Sequence, residues 1–252
     1  MPVIEVNGAS VFTAGGARAD PSRPAVILLH GAGMNHRVWS WHCRALARKG
    51  RRVLAIDLPG HGRSAGPALT RIDAFANWLV RLLDAAAIDR AGLAGHSLGA
   101  LIALDAAARH PDRVGALALV GAALSMPVHP KLLAAAEGDP PAAVAMMMRW
   151  SRGEEPEAAV PGNRPLIDAP PGVLAAGLAA CDAFGQGSER SQAVRCPTIV
   201  VAGTHDRMTP LDGARALAAA IPAAELVAIA GAGHMLPLTA PRETLAALVR
   251  VL

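Results

Sequence analysis

The pattern with the clearest chemical content is a serine between glycines. Ser97 stands at the centre of residues 95–99, which read Gly-His-Ser-Leu-Gly, after the apolar segment 91–94 and before the helix-like run 100–110. This order predicts a strand, a tight turn and a helix, with the serine in a strained conformation at the apex. A side chain at either flanking glycine would collide with the strand or the helix. The turn would therefore present the hydroxyl of Ser97 as a nucleophile.

Two polar residues downstream supply what a serine nucleophile needs. A serine hydroxyl requires a general base, and the base requires an orienting acid. Asp206 follows the buried-strand pattern 198–203, and His234 follows the strand pattern 225–230. Because open α/β sheets carry their sites beyond the carboxyl ends of the strands, we expect both side chains near Ser97. We therefore interpret Asp206 as the acid and His234 as the base.

A loop near the N-terminus is predicted to stabilise the charge that develops during acyl transfer. The strand pattern 25–29 ends at residues 30–33, which read His-Gly-Ala-Gly. Attack on an ester carbonyl makes an oxyanion, which fixed N–H donors must meet. The backbone N–H groups of Ala32 and of Leu98, the residue after the nucleophile, are the expected donors.

These segments resemble the α/β-hydrolase superfamily, in its branch of small bacterial serine esterases and enol-lactone hydrolases. The matching segments are 30–31, 57–64, 95–99, 203–206 with Pro210, and 233–234. The chain order of serine, aspartate and histidine also fits this superfamily. The resemblance implies an α/β fold, with a mostly parallel central sheet flanked by helices and a helical lid inserted before the last strands. It further implies hydrolysis of a small carboxylic ester or lactone through an acyl-enzyme, with no cofactor and no metal.

Three other activities share the same residues. A carbon–carbon bond hydrolase of ring-cleavage products is one, although such relatives usually carry a proline in the oxyanion loop that residues 32–34 lack. A cofactor-free perhydrolase or haloperoxidase is the second. The third is a non-enzymatic ligand receptor on the same scaffold, against which turnover of generic esters would argue.

A second aspartate, Asp57, also follows a strand pattern, at 52–56. The residues after it are turn formers, and it precedes the nucleophile, whereas the acid of the resembled family follows it. We therefore expect Asp57 to hold the turn 59–64 rather than to orient the base. A serine at position 97 also argues against dehalogenases, whose elbow nucleophile is an aspartate.

Residues 125–195 interrupt the alternation of strands and helices. They contain helical stretches at 130–137, 141–150 and 173–183, separated by prolines, and no convincing strand. We expect them to form a helical cap over the site, with residues 1–124 and 196–252 forming the hydrolase core. The substrate pocket is expected to include four side chains, two from the oxyanion loop and two from the cap: Met34, His36, Met147 and Trp150.

The composition narrows the choice of partners. The chain has 252 residues, of which 52% are hydrophobic, and no apolar stretch approaches the ~18 residues of a membrane span. Its net charge of +4 is dispersed and aromatic residues are only 3%, so nucleic-acid binding is not expected. Three cysteines without C-x-x-C spacing and histidines without a ligand motif predict no metal site. We expect a cytoplasmic enzyme acting on a small molecule; the oligomeric state, a homo-oligomer included, stays open.

Overall fold

The computed structural model describes residues 3–15, 22–152, 167 and 169–252. Parts of the two predicted units, residues 1–2, 16–21, 153–166 and 168, lie outside these ranges. Within them, eight strands form one sheet: β1 (Val3–Val6), β2 (Ala9–Ala14), β3 (Ala25–Leu29), β4 (Arg52–Ile56), β5 (Ala91–His96), β6 (Val114–Val120), β7 (Thr198–Gly203) and β8 (Glu225–Ile229).

The strands lie in the order β1-β2-β4-β3-β5-β6-β7-β8. The pairs β1–β2 and β2–β4 are antiparallel, and all the others are parallel, which confirms the predicted mostly parallel sheet. β4 and β5 lie on opposite sides of β3, so the order of the strands reverses there. In open α/β sheets such a reversal leaves a crevice outside the carboxyl ends of the two strands, and ligands bind in it. The loop after β3 and the turn after β5 border this crevice.

Helices cover both faces of the sheet. In the described part of the chain they are α1 (Ser40–Arg48), α2 (Ile72–Ala85), α3 (Leu98–Arg109), α4 (Pro130–Gly138), α5 (Pro140–Trp150), α6 (Val173–Asp182), α7 (Gly187–Ala193), α8 (Leu211–Ala220), α9 (Leu236–Thr239) and α10 (Pro241–Leu248), with a 3₁₀ turn at His36–Trp39. None of them is both long enough and apolar enough to cross a bilayer.

Two of the helices show how the sequence directs packing. α2 buries Ile72, Phe75 and Leu79, which recur every three or four residues and so share one face of the helix. α3 is different, because every residue from Leu98 to Ala107 is buried. A helix that is apolar nearly all round belongs in the interior, and α3 is the helix that follows Ser97.

Four helices, α4 to α7, lie between β6 and β7, and we refer to them as the inserted helices. The first two begin at side-chain caps, where the His129 ring accepts from Lys131 N–H and the Asp139 carboxylate accepts from Ala142 N–H. α7 is tied to α3 by Arg190, whose Nε lies 2.7 Å from the buried carboxylate of Asp105.

Candidate active site

Ser97 occupies a sharp turn between β5 and α3. Its backbone has φ +55° and ψ −118°, a combination that non-glycine residues rarely adopt and that surrounding contacts must maintain. Ser97 N–H donates to Val120 O at 2.9 Å, which fixes the turn to β6. The flanking glycines are required by space: a Cβ at Gly95 would meet the carbonyl of Gly99, and one at Gly99 would meet the carbonyl of Leu29. The half-buried side chain of Ser97 therefore stands at the carboxyl edge of the sheet.

Asp206 and His234 form a buried pair at the same edge. His234 Nδ1–H donates to Asp206 Oδ2 at 2.8 Å, across 28 residues of sequence. Asp206 also accepts from the N–H groups of Met208 and Thr209, each at 2.8 Å, and from the Thr209 hydroxyl at 2.6 Å. Burial by itself would raise the pKa of Asp206, but His234 and the Thr209 donors outweigh it and lower that pKa. Asp206 therefore stays ionised and keeps a negative charge beside the imidazole.

The main chain of His234 is held from two directions. His96 Nε2–H donates to His234 O at 2.9 Å, and the two rings lie 5.0 Å apart. From the other side, His234 N–H donates to Ser151 O at 2.9 Å, at the end of α5. Burial and the neighbouring His234 lower the pKa of His96 to about 3, so His96 stays neutral. His96 thus supports the backbone of His234 through this hydrogen bond.

Ser97 and His234 line the same two adjoining clefts. No hydrogen bond joins the Ser97 hydroxyl to His234 in this structure, although both residues are within the described ranges. Catalytic hydrogen bonds in ligand-free enzymes are often long and shorten only when substrate binds. What the structure brings together is a strained serine, a histidine and the carboxylate that orients that histidine.

Two backbone N–H groups border this serine. Ala32 and Leu98 are both buried, and within the described chain neither N–H donates to a protein acceptor. Leu98 is the first residue of α3, where helix geometry leaves amide groups without an intrahelical acceptor. Ala32 lies in the loop after β3 and lines both clefts. Two backbone N–H groups from different elements, without a protein acceptor among the described residues, therefore lie close to Ser97.

The larger cleft has a cavity volume of about 120 Å³. Two of the four predicted pocket residues, Met147 and Trp150, line it, and a third, Met34, lines the smaller cleft with Met147 and Met148. The walls of the larger cleft are mainly apolar: Ala32, Met126, Pro127, Val128, Leu132, Met147, Trp150, Leu178 and Met208.

His36 is placed differently from the expectation that it lines the pocket. It is absent from the lining of both clefts. Its Nδ1 lies 2.8 Å from Asp57 Oδ1, and its own N–H donates to the same oxygen at 2.6 Å. Asp57 Oδ2 accepts from Arg63 N–H at 2.9 Å. Asp57 therefore links the loop after β3 to the turn 59–64, and its carboxylate is already occupied by these donors.

Several polar lining residues were not predicted from the sequence. Thr209 bonds to Asp206 and lies 3.2 Å from His234 Nδ1; a threonine three residues after an aspartate in a turn could have indicated it. Arg207 and His129 carried no signal, because their place in the cleft depends on tertiary packing. Cys181 also lines the cleft, but burial raises the pKa of its thiol to about 12, so it is not a thiolate at neutral pH. Among the described residues there is no cluster suited to a metal ion.

Comparison with known proteins identifies the family of this chain. A model of the alpha/beta hydrolase family matches residues 26–248. A putative carbamate hydrolase RutD of Klebsiella pneumoniae is 30% identical over 237 residues, which cover 85% of each chain. The polyketide synthase ThaQ of Burkholderia thailandensis is 36% identical over 244 residues, which are 89% of this chain but only 12% of that protein.

Among solved structures, the enol-lactonase of Burkholderia xenovorans LB400 superposes with a TM-score of 0.86 at 25% identity, covering 99% of both chains. The match to the family model spans the strand before the oxyanion loop, the serine elbow and the Asp206–His234 pair. This chain belongs to the alpha/beta hydrolase family.

Proposed function

We propose that the chain is a serine hydrolase that cleaves a small carboxylic ester or lactone. The single observation that carries the proposal is the pairing of His234 with buried Asp206 in a cleft that also contains the strained Ser97. Family membership supports a hydrolase, and the proteins that the chain is similar to include an enol-lactonase and a putative carbamate hydrolase. Ser97 is then the nucleophile, His234 the base and Asp206 the orienting acid.

The reaction follows from these positions. Ser97 Oγ attacks the acyl carbon while its proton passes to His234 Nε2, and the carbonyl oxygen becomes an oxyanion held by the N–H groups of Ala32 and Leu98. Collapse of this intermediate breaks the bond to the alcohol oxygen, which takes the proton from His234. The acyl-enzyme remains, with the alcohol released or, from a lactone, still attached to the acyl chain.

Deacylation repeats these steps with water in place of the serine hydroxyl. His234 takes a proton from a water molecule, and the resulting hydroxide attacks the acyl carbon of the ester on Ser97. When the second intermediate collapses, the proton returns to Ser97 Oγ and the carboxylic acid leaves. Asp206 stabilises the imidazolium in both halves without taking the proton.

Replacement of Ser97 by alanine tests the proposal. Against p-nitrophenyl esters and lactones, Ser97→Ala should lose at least ~10³-fold in kcat while keeping the wild-type melting temperature. Exposed Ser125 supplies the matched control, since Ser125→Ala should retain full activity. A fluorophosphonate should label Ser97 and no other serine. Near-normal activity of Ser97→Ala, or labelling elsewhere, contradicts the mechanism, and binding without any turnover would favour a receptor.

A further inference from the structure

One wall of the larger cleft carries a positive charge. Arg207, which follows Asp206, lines the cleft that contains Ser97 and also an open depression outside it. Its side chain is exposed and has no hydrogen-bond or ion-pair partner among the described residues. Its five N–H donors are solvated in the free protein and are available to an acceptor that enters the cleft, such as a group of the substrate.

The surroundings of Arg207 do not neutralise it. Arg149, which likewise has no ion-pair partner among the described residues, also lines the depression. Asp206 is the acidic residue found there in the described chain, but it is buried and its oxygens accept from His234, Met208 and Thr209. Among the described residues, Arg207 and Arg149 therefore place positive charge beside the cleft, and cleft walls of low dielectric strengthen the field of Arg207 toward an incoming anion.

A second hydrogen-bond donor lies on the same cleft. The Nδ1 atom of His129 accepts from Lys131 N–H at 3.1 Å, so a neutral His129 ring carries its proton on Nε2. The ring packs 5.7 Å from that of Trp150. Since most of the remaining lining is apolar, Arg207 and His129 are the groups that can recognise a polar end of the substrate.

We propose that the cleft selects a substrate that carries a carboxylate remote from its scissile ester bond, with Arg207 as the group that binds this carboxylate. The guanidinium presents two parallel N–H donors that match the two oxygens of a carboxylate. His129 Nε2–H supplies a further donor, and the methionine and leucine walls hold the carbon chain between the two ends. This inference rests on the proposed ester or lactone hydrolysis and assigns the substrate class of that site.

Two esters of equal chain length, one with and one without a carboxylate, test whether Arg207 binds a substrate carboxylate. The ratio of kcat/KM for the p-nitrophenyl monoester of adipic acid to that for p-nitrophenyl hexanoate is measured in wild type and variants. Arg207→Gln should lower this ratio about tenfold, the scale of one charged hydrogen bond, and Arg207→Lys should restore part of it. Arg215→Gln is the matched control, because Arg215 is exposed and paired with Asp212; it should leave the ratio unchanged. An unchanged ratio in Arg207→Gln overturns the proposal.

A binding measurement separates this proposal from the catalytic one. In the Ser97→Ala background, the affinity for the mono-N-methylamide of adipic acid is compared with that for N-methylhexanamide by calorimetry. Tighter binding of the carboxylate compound, lost in Ser97→Ala/Arg207→Gln, supports the carboxylate site even if the wild type hydrolyses neither ester. Equal affinities refute the site even if ester hydrolysis is demonstrated.

Discussion

The charge of Asp206 should account for a large part of catalysis. Asp206→Asn keeps the size of the side chain and an acceptor for the N–H groups of Met208 and Thr209, but it removes the negative charge 2.8 Å from His234 Nδ1. In the proposed attack step His234 becomes an imidazolium, which that charge stabilises. At an effective dielectric of about 20, the Coulomb attraction over 2.8 Å is about 6 kcal/mol.

This energy sets an upper limit near 10⁴-fold in rate. The charge centres of the ring and the carboxylate are farther apart than the bonded atoms, so we expect kcat to fall by about 10³–10⁴-fold, the scale seen when the aspartate of a comparable triad is replaced. The assay is saturating hydrolysis of p-nitrophenyl acetate, with thermal melts to show that the variant is folded.

The matched control is the other buried aspartate beside a histidine. Asp57→Asn removes a charge 2.8 Å from His36, but His36 is outside the clefts, so the variant should lower the melting temperature and leave kcat within about tenfold. If folded Asp57→Asn loses more kcat than Asp206→Asn, the roles of the two aspartates are reversed. If kcat of Asp206→Asn falls less than tenfold, the negative charge of Asp206 does not have the proposed role.

Two further outcomes are expected. Thr209→Val, which removes the 2.6 Å hydrogen bond to Asp206, should lower kcat about tenfold while Thr209→Ser stays close to wild type; equal rates for the two variants would show that the hydroxyl is not used. His42 is buried and its pKa is lowered to about 4, below the 6.5 of the unfolded chain, so stability should fall as the pH drops from 6.5 toward 4. Between pH 7 and pH 5 this loss is roughly 2 kcal/mol, and urea melts should show that His42→Phe lacks it; an unchanged pH slope would contradict the assignment.

Elements with a strong apolar pattern could be predicted from the sequence. The apolar residues of α2 (Ile72–Ala85) recur at helical spacing, but the end of the helix before Ala87, whose φ is +50°, is not indicated by any local propensity. The strands that precede Ser97 and Asp206 are short buried runs. Because both belong to the parallel part of the sheet, their carboxyl ends lie at the same edge of it.

The helix α7 could not be predicted in the same way. Its sequence, Gly-Ser-Glu-Arg-Ser-Gln-Ala, has no apolar period, and contacts distant in sequence support it, above all Arg190 with Asp105. His36 shows the same limit at the site. Its position in the oxyanion loop suggested substrate contact, but its partner Asp57 is 21 residues away, and no local pattern encodes that pairing.

The hydrogen bond from His234 N–H to Ser151 O has a consequence for engineering this chain. Exchanging the inserted helices between related proteins is one way to change substrate specificity. Here, removal of α5 or a shift of its last turn would leave the amide of the proposed base without its acceptor, and a buried unpaired amide costs about 1–3 kcal/mol. A chimera that preserves all three proposed catalytic side chains would still lose activity unless the grafted segment supplies a carbonyl at this point. Transplants should therefore be joined after residue 151, not before it.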